Sequence, residues 1–310
     1  MSDQSDHMVF VIAGPTASGK SGLGLALAER LGGVVINGDS MQVYKGLEVL
    51  TAQPGAEARE RVPHRLYGVL DPGESCSAGH WRGLALHEIR SALGEGRVPI
   101  VVGGSGLYLK ALLDGIAPVP EIPAAIREAV RRRHAELGNQ AFHDELGQQD
   151  PAMAGRIGPT DSQRMIRAAE VMAATGRSLA DWQGDPPQDQ PDDMVFRTIL
   201  VMPPRADLYA AIDARFDAMV EAGAMAEAAT LAKRGLSSHL PAMKALGVAQ
   251  LVAASKGEMD AVAALTRAKT ATRHYAKRQI TWFNGQIIAD KIITTQVSKR
   301  NMDKILSDII

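Results

Sequence analysis

At 310 residues with 45% hydrophobic side chains, the chain can bury a sizeable core and folds as one large α/β domain with an insertion or as two domains, not as a disordered chain. Its 34 Lys and Arg against 35 Asp and Glu leave a formal charge of −1, so no global basic field marks nucleic acid as a partner, and such binding has to come from local patches. The single cysteine, Cys76, excludes an internal disulfide framework, no apolar run of about 18 residues could span a bilayer, and the opening MSDQSDHM lacks the regions of a signal peptide, all of which fits a cytoplasmic protein.

In chain order, VFVIA (9–13) is the continuous apolar run of a strand buried on both faces. It feeds through Gly14-Pro15-Thr16-Ala17-Ser18-Gly19-Lys20-Ser21 into a helical run with Leu23, Leu25, Leu27 and Leu31. A G-x-x-x-x-G-K-S loop between strand and helix binds phosphates. Its backbone N–H groups point inward, the helix adds its positive end, Lys20 reaches the terminal phosphate, and Ser21 is placed to ligate a bridging Mg²⁺. VVING (34–38) reads as a second strand ending at Asp39-Ser40, and VPIVVGG (98–104) as a third ending at Ser105. Strands alternating with helices predict a P-loop NTPase-like α/β fold: a parallel sheet flanked by helices, with ligands at the carboxyl ends of the strands. Nucleotide hydrolases of this architecture also carry an acid at the end of a neighbouring strand. Gly103-Gly104-Ser105 stand there instead, so the loop is open to a diphosphate chemistry other than ATP hydrolysis. Asp39 is the acid that remains. It can bind metal, accept a proton from a substrate nucleophile, or cap the following turn.

From 117 to 194 the sequence is charged and helix-forming, and closes on the Pro- and Asp-rich GDPPQDQPDD (184–193), which marks an inserted helical subdomain. Within it, Thr160-x-x-Gln163 has the form of a capping box. The helix that follows places Met165, Ala169 and Met172 on one side and Gln163, Arg164 and Arg167 on the other, a pattern that a solvated face would share.

Strand character returns at FRTILVM (196–202). In the helix over 205–223, Leu208, Ile212, Phe216 and Met219 form an apolar stripe, and Arg215 falls within it. A guanidinium so directed needs an anion, either a structural carboxylate or a phosphate opposite the glycine loop. In LTRAKTATRHYAKRQITWF (265–283), Arg267, His274 and Arg278 lie opposite Leu265, Ala276 and Phe283, with Lys277 at the edge and Tyr275 and Trp282 alongside. Cations interleaved with flat rings suit an RNA backbone with unstacked bases. The core is therefore expected over 8–116 and 195–285. For the tail, 286–310, a docked helix and a frayed end remain open. Without zinc-type Cys/His clusters or a G-x-S-x-G turn, metal hydrolysis and serine acyl transfer are disfavoured.

GPTASGKS, GDSMQVYKGL, TAQP, PHRL, VVGGSGLYLKALLDG, DSQRMIRAAEV and AKRQITWF occur in that order, and with them the chain from about 9 to 285 resembles the tRNA isopentenyltransferase (IPP transferase) family, in its bacterial tRNA dimethylallyltransferase form. The resemblance implies transfer of a dimethylallyl group from dimethylallyl diphosphate to N6 of adenine 37 of tRNA, with Mg²⁺; apart from the resemblance, a monomer is expected, with the oligomeric state left open. The resemblance also implies that Gly14 to Ser21 hold the diphosphate, that Lys20, Ser21 and Arg215 act on its oxygens, that Asp39 takes the N6 proton and that Ser105 orients the adenine. It further implies tRNA contacts at Asp39, Ser40, Met41, Gln42, Ser105, Arg127, Gln163, Arg164, Met165, Ile166, Arg167, Lys277 and Arg278, with the 117–194 subdomain folded over the anticodon stem-loop. The chain departs from the family pattern at Gln53, where lysine is common, and at Gly247-Val248-Ala249, where Gly-Tyr-Arg/Lys is common. A small-molecule kinase or an RNA-binding nucleotide switch would use the same loop with ATP.

Overall fold

The apolar runs become the centre of one parallel sheet. A computed structural model describes residues 7–187 and 190–310. One of its two compact units runs to Leu113 and resumes over Pro191–Ile310; the other is Asp114–Gln190.

In the first unit, β1 (Met8–Ala13), α1 (Lys20–Leu31), β2 (Val34–Asn37), α2 (Ala56–Arg61), β3 (His64–Arg65), α3 (Ala78–Gly94), β4 (Pro99–Gly103) and α4 (Gly106–Asp114) follow one another. All strand pairings are parallel, in the order β3-β2-β4-β1-β5-β6, where β5 is Val195–Val201 and β6 is Lys291–Ile293. Alternation along β1 divides the core. Val9, Val11 and Ala13 join one cluster with Trp81, Leu109 and Phe283, while Phe10 and Ile12 join another with Leu23, Leu27 and Ile305. Ala13 pairs with Gly103, and Asn37 pairs with Val102. This register brings the loops after β1, β2 and β4 out side by side.

The second unit holds α5 (Ala124–Gln149), interrupted at Gly138, then α6 (Pro151–Ala154), α7 (Ser162–Thr175) and α8 (Leu179–Trp182). They close over their own core of Phe142, Leu146, Met165, Ala168 and Val171. The N-cap of α7 is Asp161, whose carboxylate accepts the Arg164 N–H, and not Thr160 as the capping-box pattern suggested. A carboxylate is the stronger acceptor at the positive end of a helix.

After β5 come α9 (Arg205–Glu221), α10 (Ala224–Lys233), a 3-10 turn (Pro241–Lys244), α11 (Val248–Ser255), α12 (Ala261–Gln286), β6 and α13 (Met302–Ile309). The tail is therefore docked. β6 extends the sheet beside β5, and Ile305, Leu306 and Ile309 of α13 are buried in the cluster that covers α1. Among the described residues, no helix is long and apolar enough to cross a membrane.

Candidate active site

The glycine loop leaves β1 and closes on α1 through Gly19, whose φ of 89° only a glycine adopts without strain. Among the described residues, the backbone N–H groups of Gly19, Lys20 and Ser21 bond nothing in the protein, and the Ser18 hydroxyl is buried without a partner. Buried or helix-end donors left open in this way define an anion cradle. Lys20 is 9% exposed, and its Nζ donates to the Pro15 carbonyl at 3.1 Å. Burial pulls its pKa down to about 8; the negative charge of Asp39 opposes this shift, and the positive charge of Arg215 adds to it.

Arg215 emerges from the stripe of Leu208, Ile212, Phe216 and Met219, all buried as the periodicity predicts. Its Nη2 donates to the Thr16 hydroxyl at 2.9 Å, and among the described residues it makes no ion pair. Among the described residues no carboxylate pairs with it directly, and Asp39 acts on it only through its charge. Desolvation lowers its pKa, and Asp39 acts against that shift.

Asp39 is half-buried at the end of β2 and is held by Asn37, a fully buried residue. Asn37 Oδ1 accepts the Asp39 N–H at 2.8 Å, and its Nδ2 donates to the carbonyls of Asp39 and Leu66, each at 3.0 Å. One carboxylate oxygen accepts the Met41 N–H at 2.9 Å, so the capping role is real. Burial raises the pKa values of Tyr67, Tyr108 and Tyr275, and the Asp39 charge adds to that shift while supporting the protonated forms of Lys20 and Arg215. One carboxylate therefore serves both as turn anchor and as the negative centre of the site.

Ser105, at the end of β4, accepts the Ser40 N–H at 2.8 Å and donates to the Ser40 hydroxyl at 2.9 Å, which ties the β2 and β4 ends together. The missing acid has a steric cause. A Cβ on Gly103 would collide with the backbone of Gly38, so no side chain can stand there.

Gln279 of α12, buried at 6% exposure, completes this layer. Its Oε1 accepts the Thr16 N–H at 2.9 Å, and its Nε2 donates to the Gly104 carbonyl at 2.8 Å. Sequence reading passed over it, although it lies three residues after Ala276 and four before Phe283, the same misplaced-polar signal that singled out Arg215. Lys277 and Arg278 are exposed on this helix, with the Arg278 guanidinium 5.6 Å from the Tyr275 ring centre, and an open groove there is lined by His274, Lys277, Arg278, Thr281 and Trp282. The tail also reaches the loop. Gln296 donates to the Ala17 carbonyl at 2.9 Å, and Val297 packs over Gly19.

The loop, Lys20, Asp39, Ser40, Ser105 and Arg215 thus meet in one place. Met41 is half-buried against the core, and the Gln42 amide donates to the carbonyls of Thr51 and Ala52, a structural brace. In the helical unit, Gln163, Arg164 and Arg127 are exposed and Ile166 is half-buried. Arg127 lies near enough to Arg167 to disfavour its charge, although burial is the larger effect on Arg167. Met165 is corrected: it is fully buried in that unit's core and has no surface to offer RNA, because it occupies the inward position of α7. Of the departures from the family pattern, Ala249 is exposed and the other two face inward. Val248 is fully buried, and Gln53 donates to the Tyr44 carbonyl at 2.8 Å. Among the described residues, no group of three or more His, Cys, Asp or Glu side chains could hold a metal ion.

The model of the IPP transferase family matches residues 42–286. The tRNA dimethylallyltransferase of Rhodospirillum centenum is 52% identical over 281 residues, 91% of this chain and 90% of the relative. That of Parvibaculum lavamentivorans is 49% identical over 299 residues, covering 96% and 95%. Among solved structures, a full-length tRNA isopentenylpyrophosphate transferase from Bacillus halodurans aligns with a TM-score of 0.69 at 34% identity, covering 98% of this chain and 95% of that one. A eukaryotic dimethylallyltransferase acting on tRNA aligns with a TM-score of 0.80 at 25% identity, covering 98% and 78%.

Proposed function

Because the chain belongs to the IPP transferase family, we propose that it transfers a dimethylallyl group from dimethylallyl diphosphate to N6 of adenine 37 of tRNA, next to the anticodon. The observation that carries this reading is the meeting of Lys20, Arg215 and Asp39 beside the loop, with Gly103 packed where a hydrolase would keep its acid.

The exocyclic amine of adenine is a weak nucleophile, because its lone pair is delocalised into the ring. A new N6–C bond forms at the allylic carbon as the C–O bond to diphosphate breaks, and the amine sheds one proton. The Asp39 oxygen not bonded to Met41 is the acceptor for that proton. Negative charge then grows on the departing diphosphate, where Lys20, Arg215 and the open amides of Gly19, Lys20 and Ser21 converge. Among the described residues the buried Ser18 hydroxyl has no partner and Ser21 stands exposed at the start of α1, a pair that fits a metal-diphosphate ligand. Bound through Ser21, Mg²⁺ would neutralise phosphate oxygens. Ser105, fixed against Ser40, orients the adenine once it has left its stack.

The exposed cations Lys277 and Arg278, with Trp282 beside them, suit the RNA backbone and a splayed base. Gln163, Arg164, Ile166, Arg167 and Arg127 of the helical unit serve the anticodon stem-loop. The protein acts as a monomer in the cytoplasm, where its tRNA substrate resides.

One assay tests the reading: purified protein with Mg²⁺, radiolabelled dimethylallyl diphosphate and an anticodon stem-loop carrying A36-A37-A38. Label appearing on the RNA is the expected result. Consumption of ATP without label transfer would overturn it.

A further inference from the structure

The active-site loops after β1 and β4 are joined by one side chain that no step of the chemistry requires. Gln279 is 175 residues from Gly104 and 263 from Thr16 in sequence, yet its amide spans both. The amide's orientation is dictated by its neighbours, since the Thr16 N–H needs an acceptor and the Gly104 carbonyl needs a donor. Thr16 is also the residue whose hydroxyl receives Arg215, so the amide fixes the backbone on which a diphosphate-facing cation rests. Gly104 precedes Ser105, which holds the β2 and β4 ends together through Ser40.

We infer that Gln279 is a positioning residue that sets the register between the diphosphate loop and the adenine-orienting loop, and so the distance between leaving group and nucleophile. Its amide oxygen and nitrogen are both engaged by loop backbone. Its helix also carries the exposed Lys277 and Arg278, so the element that meets the RNA backbone is pegged to the loop that holds the donor. The inference rests on the transferase reading for its meaning and on the two hydrogen bonds for its geometry. Methionine has similar length and volume but makes neither bond. Glutamate can accept from Thr16 but, when ionised, sets a second oxygen against the Gly104 carbonyl.

The test compares wild type, Gln279→Met and Gln279→Glu in three measurements: label transfer to the stem-loop, calorimetric binding of inorganic diphosphate with Mg²⁺, and binding of the stem-loop alone. Expected are a fall in kcat of roughly thirtyfold or more and a roughly fivefold or greater loss of diphosphate affinity in Gln279→Met, with stem-loop affinity within about twofold of wild type. In Gln279→Glu, activity relative to wild type should recover as pH falls, because a protonated carboxyl regains the donor, a response that loss of packing would not produce. Wild-type kcat and diphosphate affinity in Gln279→Met would overturn the inference, as would a deficit in Gln279→Glu that ignores pH. If wild type itself transfers no label, the transferase reading fails, and diphosphate affinity still decides whether Gln279 positions the loop.

Discussion

Replacing Lys20 with methionine should make the protein more stable and the reaction slower, and the size of the first effect follows from burial. The ammonium is 9% exposed, and its pKa falls from 10.5 to about 8, chiefly because it has left water. One pKa unit corresponds to about 1.4 kcal/mol, so the protonated lysine costs the folded state about 3 kcal/mol at neutral pH. Methionine keeps most of the apolar stem and forfeits the hydrogen bond to Pro15, a net loss of about 1 kcal/mol. The balance is a gain of about 2 kcal/mol, or several degrees in thermal midpoint. Its pH dependence has a defined sign. Below pH 8 the lysine is protonated in both states and the full cost is present. Between pH 8 and 10.5 the unfolded chain holds a proton that the folded chain lacks, so wild-type stability rises with pH. The advantage of the variant is therefore largest below pH 8 and gone near pH 10.5. Thermal and urea unfolding of both proteins across that range measures it. A variant no more stable than wild type at pH 7, or an advantage that ignores pH, would refute the idea that Lys20 is held charged at a desolvation cost for its ligand.

Four further outcomes are expected. Asp39→Ala should lower turnover on the order of a hundredfold or more while leaving stem-loop affinity nearly intact; near-normal single-turnover rates would remove Asp39 from the mechanism. Arg215→Ala should both weaken donor binding and slow transfer, since among the described residues the guanidinium makes no direct ion pair; unchanged steady-state kinetics would assign it to the fold. In the free enzyme, kcat/KM for the donor should fall as pH rises through about 8, where Lys20 loses its proton, and diphosphate binding above that pH should take up a proton, measurable as calorimetric heats that differ between buffers. Gly103→Ala should lower the thermal midpoint sharply, because the backbone of Gly38 occupies the space of the new methyl group; an unshifted midpoint would refute that packing.

The sheet's centre was legible because β1, β2, β4 and β5 are apolar runs bounded by glycines or polar turns. β3, two residues long, and β6, an edge strand with exposed Lys291 and Ile292, carry too little pattern to be read. Lys20 and Asp39 were legible from position on the fold, and Arg215 from a charge on an apolar stripe. Asn37 and Gln279 were not, since each acts by bonding backbone groups that only the tertiary structure brings within reach. Met165 shows the opposite limit: a stretch assigned to RNA as a block contains a side chain that helical geometry turns inward.

The glycine loop by itself serves any phosphate ester, so the distinction between hydrolysis and transfer has to lie in what surrounds it. Here the end of β4 leaves no room for an acid at Gly103, because Gly103 and Gly38 approach backbone to backbone. The carboxylate stands one strand over, on Asp39, where Asn37 holds its backbone from both sides. That displacement puts the carboxylate next to the Ser40–Ser105 link, where the proposed transfer needs a base for the amine. Lys20 and Arg215 stay with the loop. In the proposed reaction the positive charge for the leaving group thus stands at the loop after β1 and on α9, and the carboxylate for the nucleophile stands after β2, on elements that the sheet and the Gln279 bridge hold in register.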